Sequence, residues 1–286
     1  MADQGVDGNS LSGMAAGQAL GLAARALAPV SDTPRLDAEL LMAHALSVAR
    51  SELLLCLLND PVPSAFDTLM QRRLRHEPVA YITGRRAFWT IELEVGPGVL
   101  IPRSDSETLL EAAVDRFGKD GPARVLDLGT GPGTLLLAAL AEWPQATGVG
   151  VDRSDEALAY ARRNAALLGL AERAELRSGD WGEGLEERFG LLLCNPPYVE
   201  QGAALDPQVR AWEPAAALFA GADGLACYRL LAPQLARLLA PGGLGCVEVG
   251  AGQADAVSAL FRHAGLRVAT RRDLGGVTRA LLLDAE

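Results

Sequence analysis

Cysteine and histidine are scarce in this 286-residue sequence, and the few present are scattered. Cys56, Cys194, Cys227 and Cys246 form no CxxC pair, and His44, His76 and His263 show no ligand spacing. Such spacing argues against a zinc site and a disulfide framework, so no metal and reduced cytoplasmic thiols are expected. Long apolar runs are missing as well. Charge, glycine or proline interrupts each one before it reaches the ~20 residues of a membrane helix. No charged-then-apolar leader opens the sequence, and no internal repeat is visible. A basic excess is also lacking: 26 Lys and Arg face 36 Asp and Glu, a formal net charge of -10. Proteins whose main partner is a phosphate backbone are usually basic, so nucleic acid is not the expected partner. What is present is 49% hydrophobic residues against 22% charged, the balance of a soluble globular protein. The length suits two domains. A cytoplasmic monomer without membrane contact is expected.

Residues 1–13, rich in Gly, Ser, Asp and Asn, read as a flexible tail. Residues 14–84 read as a small helical bundle, with Pro34 in a first helical turn and leucines at helical spacing through Leu46. A short helix is also predicted around Ser51–Leu58, broken by Pro61 and Pro63, and another runs to about His76. The β-formers Phe88, Trp89, Ile91, Leu93 and Val95, with a turn at Gly96-Pro97-Gly98, predict a β-hairpin linker over 85–102. Ser104 and Glu107 have the spacing of a capping box before an apolar helix. From 103 to 286 strands and helices alternate. That pattern predicts an α/β domain with a mostly parallel sheet and paired strands at the C-terminal end. Ligands of such sheets bind beyond the C-terminal strand ends.

Four motifs fall at those ends. Asp127-Leu128-Gly129-Thr130-Gly131-Pro132-Gly133 joins a predicted strand to a predicted helix, where glycines allow a sharp turn and close approach to a ligand. Nicotinamide enzymes use a similar loop, but their fingerprint is GxGxxG, and here the third glycine comes one place early. Val151-Asp152 ends the next strand. Its carboxylate can accept from two ribose hydroxyls or cap the helix that follows, as Ser154 also can. Asp180-Trp181 follows a further strand. The indole can stack on a purine and Asp180 can accept from an exocyclic amine, or Trp181 is core. Asn195-Pro196-Pro197-Tyr198 follows the apolar strand Leu191–Cys194. Two prolines stiffen that turn, so Asn195 Oδ1 and the Pro196 carbonyl can act together as acceptors for a planar NH2 group, with Tyr198 as a flat wall.

In this order the Asp-Leu-Gly-Thr-Gly loop, the Val-Asp pair and Asn-Pro-Pro-Tyr resemble a class I methyltransferase acting on a planar amine or amide nitrogen. Further segments narrow the resemblance: Arg35–Leu41, Glu77–Gly84, Leu100 to Glu107, Glu213-Pro214, Asp223-Gly224-Leu225 with Tyr228-Arg229, and Pro241-Gly242-Gly243. Together these are similar to the release factor glutamine methyltransferases, the PrmC/HemK family, along nearly the whole chain. The resemblance implies a Rossmann-like fold and S-adenosyl-L-methionine as cofactor, with S-adenosyl-L-homocysteine as product. It assigns cofactor binding to Gly129, Thr130, Gly131, Pro132, Gly133, Asp152, Trp181 and Asn195. Asn195, Pro196 and Tyr198 carry the catalytic assignment, and Asn195 to Tyr198, Pro197 included, the substrate assignment. The implied substrate is the glutamine N5 in the Gly-Gly-Gln motif of class 1 peptide chain release factors, held in part by the helical domain. Arg72, Arg73, Arg75, Arg85 and Arg86 either contribute to that or form a solvated face, and Arg103 is expected to be structural or to organise the pocket rim. The chain departs from the family where Pro132 replaces a small polar residue, Ser104 a proline and Gly190 an aspartate. Three rival readings are the same chemistry on a ribosomal protein or nucleic-acid base, a nicotinamide oxidoreductase, and a catalytically silent cofactor-binding module.

Overall fold

A computed structural model describes residues 10–285, which fold as two compact units. The first comprises the chain through Gly84 together with Asp206–Trp212. Its helices are α1 (Ala16–Leu27), α2 (Pro34–Leu46), α3 (Arg50–Cys56), α4 (Ala65–Leu74) and α5 (Val79–Thr83). Helical periodicity puts Ala16, Ala19, Leu20, Ala23 and Leu27 on one buried face of α1. They pack with Leu41, Met42, Leu53 and Phe66 in a single apolar core. Pro34 opens α2, where its missing N–H costs nothing, and Ser47 in a left-handed conformation ends it. The tail expected over residues 1–13 lies, as far as residue 9, outside the described residues. Beyond that the chain is tied down: Ser10 Oγ donates to Asp67 (2.6 Å) and Gly13 N–H to the Val62 carbonyl (2.9 Å).

Several charges of this unit are spent internally. Arg73 is buried, donating to Asp37 (2.7 Å) and to the Val30 carbonyl (2.9 Å). Glu39 accepts from Arg35 and Arg50, and Arg72 pairs with Glu77 at 2.5 Å. The arginines of the expected basic cluster are differently engaged. Arg72 and Arg73 hold the bundle together, Arg85 pairs with Glu92, Arg86 donates to the Pro102 carbonyl, and Arg75 is exposed.

The second unit opens with a hairpin, β1 (Arg85–Phe88) and β2 (Ile91–Glu94). It turns at Trp89-Thr90, with Trp89 at φ 54°, and not at Gly96–Gly98 as expected. The Ser104/Glu107 capping box does not form either. Ser104–Ser106 makes a 3-10 turn before α6 (Glu107–Phe117), and the Glu107 carboxylate accepts from the Trp89 N–H instead. The alternating region follows as β3 (Arg124–Leu128), α7 (Thr134–Glu142), β4 (Thr147–Asp152), α8 (Asp155–Leu167), β5 (Ala174–Ser178) and β6 (Phe189–Cys194). After α9 (Pro207–Trp212), which belongs to the first unit, come α10 (Ala226–Leu238), β7 (Leu239–Glu248), α11 (Ala254–His263), β8 (Leu266–Arg272) and β9 (Thr278–Ala285).

The seven-stranded sheet runs β5-β4-β3-β6-β7-β9-β8, parallel except at β9, which pairs antiparallel with both β7 and β8. Its central strands are largely apolar and buried, since helices cover both faces. Register aligns their ends: Leu128 of β3 pairs with Val151 on one side and Cys194 on the other.

Asp37→Ala leaves Arg73 buried without its counter-charge. Urea unfolding of the full chain is expected to show a loss of about 3–5 kcal/mol in the helical unit. Arg35→Ala breaks a pair whose arginine is half exposed and is expected to cost under about 1 kcal/mol.

Candidate active site

Because β3, β4 and β6 are in register at their ends, Gly129, the last β4 residue Asp152 and Asn195 emerge side by side. They line a cavity of about 400 Å³ within the second unit, a size that suits a small ligand. Thr130, Gly131, Pro132, Asp180, Trp181 and Pro197 line it as well.

Backbone contacts hold the glycine loop against β4. The N–H groups of Gly129 and Thr130 both donate to the Val151 carbonyl (2.8 and 3.0 Å), and Gly131 N–H donates to Asp152 Oδ2 (2.8 Å). The other Asp152 oxygen accepts from Ser154 N–H (2.9 Å), while the Ser154 hydroxyl caps α8. Gly129 is left-handed at φ 73°, and a Cβ there would lie 3.2 Å from Trp181 Cζ3, so the indole lies close over the loop. Trp181 is itself left-handed at φ 53°. A tryptophan in that region is strained, and α10 secures the turn after it: Gln234 accepts from Gly182 N–H (2.7 Å) and Arg237 donates to the Gly182 carbonyl (2.9 Å).

Gly133 does not line the cavity. It caps α7 at φ 90°, and a Cβ there would fall 2.7 Å from Leu137 Cδ1, so packing accounts for this glycine. Lining alternates along the prolyl corner. Asn195 and Pro197 face the cavity, whereas Pro196 is buried and neither it nor Tyr198 contributes to the wall. Tyr198 packs against the sheet core, its carbonyl accepts from Gln253 (2.9 Å) and its hydroxyl donates to Glu248 (3.3 Å). Burial pushes its phenol well above the usual tyrosine range.

The fold adds residues, and partners for residues already named, that the motifs did not assign. Asp127, which opens the glycine motif, is fully enclosed; its Oδ2 accepts from Thr130 Oγ1 (2.7 Å) and Leu136 N–H (3.1 Å). Its Oδ1 has no hydrogen-bond partner among the described residues, although the residue lines the cavity. Burial pushes the Asp127 carboxyl up to about 7. Glu248, at the end of β7, is also buried and also raised to about 7 by burial, against hydrogen bonds from Ser106 and Tyr198. Ser106 lines the cavity and donates to Glu248 Oε2, while accepting from Asn195 Nδ2 (2.9 Å). Arg103, also on the wall, pairs with the buried Glu213, whose second oxygen accepts from Ile101 N–H (3.1 Å). Asn164 of α8 clamps the glycine loop to the hairpin, donating to the carbonyls of Pro132 (2.9 Å) and Glu94 (3.0 Å). The motif gave a signal for Asp127. Arg103 was already expected at the rim; Glu248, Ser106, Glu213 and Asn164 have no site role marked by their immediate neighbours in sequence, since each partner is remote.

The fold and this site define a class of protein. A methyltransferase from Pyrococcus furiosus aligns with a TM-score of 0.52 at 16% identity, over 76% of this chain and 98% of that one. A 16S rRNA methyltransferase of T. thermophilus, solved with AdoMet and guanosine, aligns with a TM-score of 0.51 at 22% identity, over 71% of this chain and 50% of that one. At such identities the likeness concerns the fold alone, that of a methyltransferase. Sequence comparison goes further. Residues 18–84 match the PrmC N-terminal domain and residues 119–265 a methyltransferase domain. The release factor glutamine methyltransferase of Caulobacter vibrioides is 46% identical over 258 residues, 88% of this chain and 89% of the relative. Its counterpart from Rhodospirillum rubrum is 42% identical over 257 residues, 88% of this chain and 79% of the relative. The chain belongs to the release factor glutamine methyltransferase family.

Asp127 generates a pH prediction. Its carboxyl titrates near 7 in the fold, against about 3.9 in an unfolded chain. Between those values the folded protein holds a proton that the unfolded chain has lost. The group's contribution to stability is therefore full below about pH 4 and is lost as pH rises to about 7. Asp127→Asn stays neutral throughout. In thermal melts across that window the Tm difference is expected to move steadily in favour of the variant with rising pH, and to level off above about pH 7.

Proposed function

We propose that this chain transfers a methyl group from S-adenosyl-L-methionine to the side-chain amide nitrogen, N5, of the glutamine in the Gly-Gly-Gln motif of peptide chain release factors. The observation that carries this reading is the meeting of Asn195, Asp152 and the glycine loop on one cavity wall. The relatives' names support the substrate, and the acidic balance of the chain favours a protein over a nucleic acid.

The wall suits the cofactor. The unpartnered Asp127 Oδ1 answers an ammonium group, the Asp152 carboxylate a ribose diol, and the Trp181 indole an adenine ring. Gly129 through Pro132 leave backbone close to whatever occupies the loop. When bound, S-adenosyl-L-methionine supplies an electrophilic methyl group on a positively charged sulfur. The remaining task is to position a weak nucleophile. An amide nitrogen is weak because its lone pair is delocalised into the carbonyl, and orientation in a site is worth about 7–11 kcal/mol in favourable cases.

Asn195 Oδ1, on the cavity wall, is the proposed acceptor of a hydrogen of the substrate amide, and Pro196, behind the wall, is proposed to stiffen the corner through two consecutive prolyl φ angles. The Asn195 oxygen carries partial negative charge, which favours positive charge growing on nitrogen. Tyr198 stiffens the corner through its hydrogen bond to Glu248. No strong base is assigned, because the methylated nitrogen is acidic enough to release its proton to water. The first unit is proposed to hold the release factor. The protein is proposed to act as a cytoplasmic monomer. Among the described residues no helix is long and apolar enough to cross a membrane.

Incubation with labelled cofactor and purified release factor, followed by peptide mapping, is expected to give one methyl group on the Gly-Gly-Gln glutamine. Asn195→Ala is expected to lower kcat by about 10²–10³-fold, the loss typical of removing one charge-stabilising group. Label on RNA or DNA, or on another residue, defeats the assignment.

A further inference from the structure

An asparagine side chain is nearly symmetric in shape and opposite in chemistry at its two ends. One end is an acceptor oxygen, the other an NH2 with two donors. A half-turn about its last bond exchanges them. The distinction is decisive at Asn195. The substrate amide brings two N–H donors, so only the oxygen of Asn195 suits it; the NH2 end would meet donor with donor. Nothing within Asn195-Pro196-Pro197-Tyr198 chooses between the two ends.

Two residues from elsewhere in the fold do. Glu248 sits at the end of β7, 1% exposed, and Ser106 in the turn before α6, 2% exposed. Each Glu248 oxygen faces a hydroxyl: Ser106 Oγ donates to Oε2 and Tyr198 Oη to Oε1. Ser106 has one proton, and in the structure it is donated to Glu248 Oε2. Its oxygen is left with acceptor lone pairs only, and these accept from Asn195 Nδ2 at 2.9 Å. With the NH2 end engaged by Ser106, the oxygen end is the one free for a ligand. We infer that Glu248 and Ser106 are positioning residues which, through a one-way chain of hydrogen bonds, fix the amide of Asn195 with its oxygen toward the incoming nitrogen. The inference rests on the proposed glutamine methylation and adds to it the device that selects an NH2 donor as substrate.

The test separates polarity from scaffolding. Glu248→Met keeps an unbranched side chain of similar volume and removes the acceptor. It also removes a buried acid, so it does not depend on the carboxylate for stability. Ser106 is then free to turn its proton toward Asn195 and capture the oxygen. Ser106→Ala removes the hydroxyl outright, and Ser106→Thr keeps it. Three quantities are measured on the full-length protein: kcat on purified release factor, cofactor Kd by calorimetry, and Tm. Glu248→Met and Ser106→Ala are expected to lower kcat by about tenfold or more, with cofactor Kd within about twofold of the wild type and no fall in Tm for Glu248→Met. Ser106→Thr is expected to keep kcat within about threefold. Two results overturn the inference while leaving the proposed function standing. One is a wild-type protein that methylates the glutamine alongside folded Glu248→Met and Ser106→Ala variants of undiminished kcat. The other is a parallel loss of kcat, cofactor affinity and Tm, which marks a scaffold. A folded wild type that binds the cofactor and leaves the glutamine unmethylated sinks both together.

Discussion

The common level at which three parallel strands end is the constraint on which the site depends. Leu128, Val151 and Cys194 are cross-strand partners, and parallel pairing ties their positions to one another through the sheet's hydrogen bonds. A glycine loop, a carboxylate and an asparagine separated by tens of residues therefore emerge together. A one-residue slip of β6 would turn its side chains to the opposite face of the sheet and carry Asn195 away from the loop. The helices packed on the two faces, α10 and α11 among them, stabilise this register by burying the apolar strands. They also serve the site directly, since α10 holds the Trp181 turn and α8 the glycine loop.

Two buried acids stand out against that apolar background. Burial raises both Asp127 and Glu248 to about 7, so each opposes folding at neutral pH when ionised. Their surroundings differ in an informative way. Glu248 is fully engaged, each oxygen with a hydroxyl, and its effect passes along bonds to Asn195. Asp127 keeps one oxygen unsatisfied at the cavity wall. An acid that is costly to bury and incompletely partnered is common where a site awaits a ligand. In the helical unit the opposite holds: Asp37, Glu39 and Glu77 are all matched by arginines.

Much of the fold was legible in the residues. The alternation after 103, the strands around Val125, Thr147 and Leu191, and the helix opened by Pro34 follow from periodicity and capping, which are local. Errors arose where a local pattern had two uses. Gly96-Pro97-Gly98 is a turn, yet the hairpin closes at Trp89-Thr90, because Phe88 pairs with Ile91 and leaves only two residues between them. Ser104 and Glu107 had capping-box spacing, but Glu107 found the Trp89 N–H, a partner remote in sequence. The arginines at 72 and 73 looked available, and their carboxylates turned out to lie within the same bundle.

The order and spacing of the glycine loop, Asp152 and Asn195-Pro196-Pro197-Tyr198 were enough to carry the resemblance to methyltransferases, because a loop that must approach a ligand needs glycine and a stiff corner needs proline wherever the chain goes. Which face of each motif residue meets the cavity was decided by the tertiary structure. Pro196 and Tyr198 turn from the wall, Gly133 serves packing, and the amide of Asn195 takes its direction from Ser106 and Glu248, 89 residues before it and at the end of β7 beyond it. A hydrogen bond has direction but no memory of sequence distance, so which atom it aligns is settled only once the remote partners have been brought together.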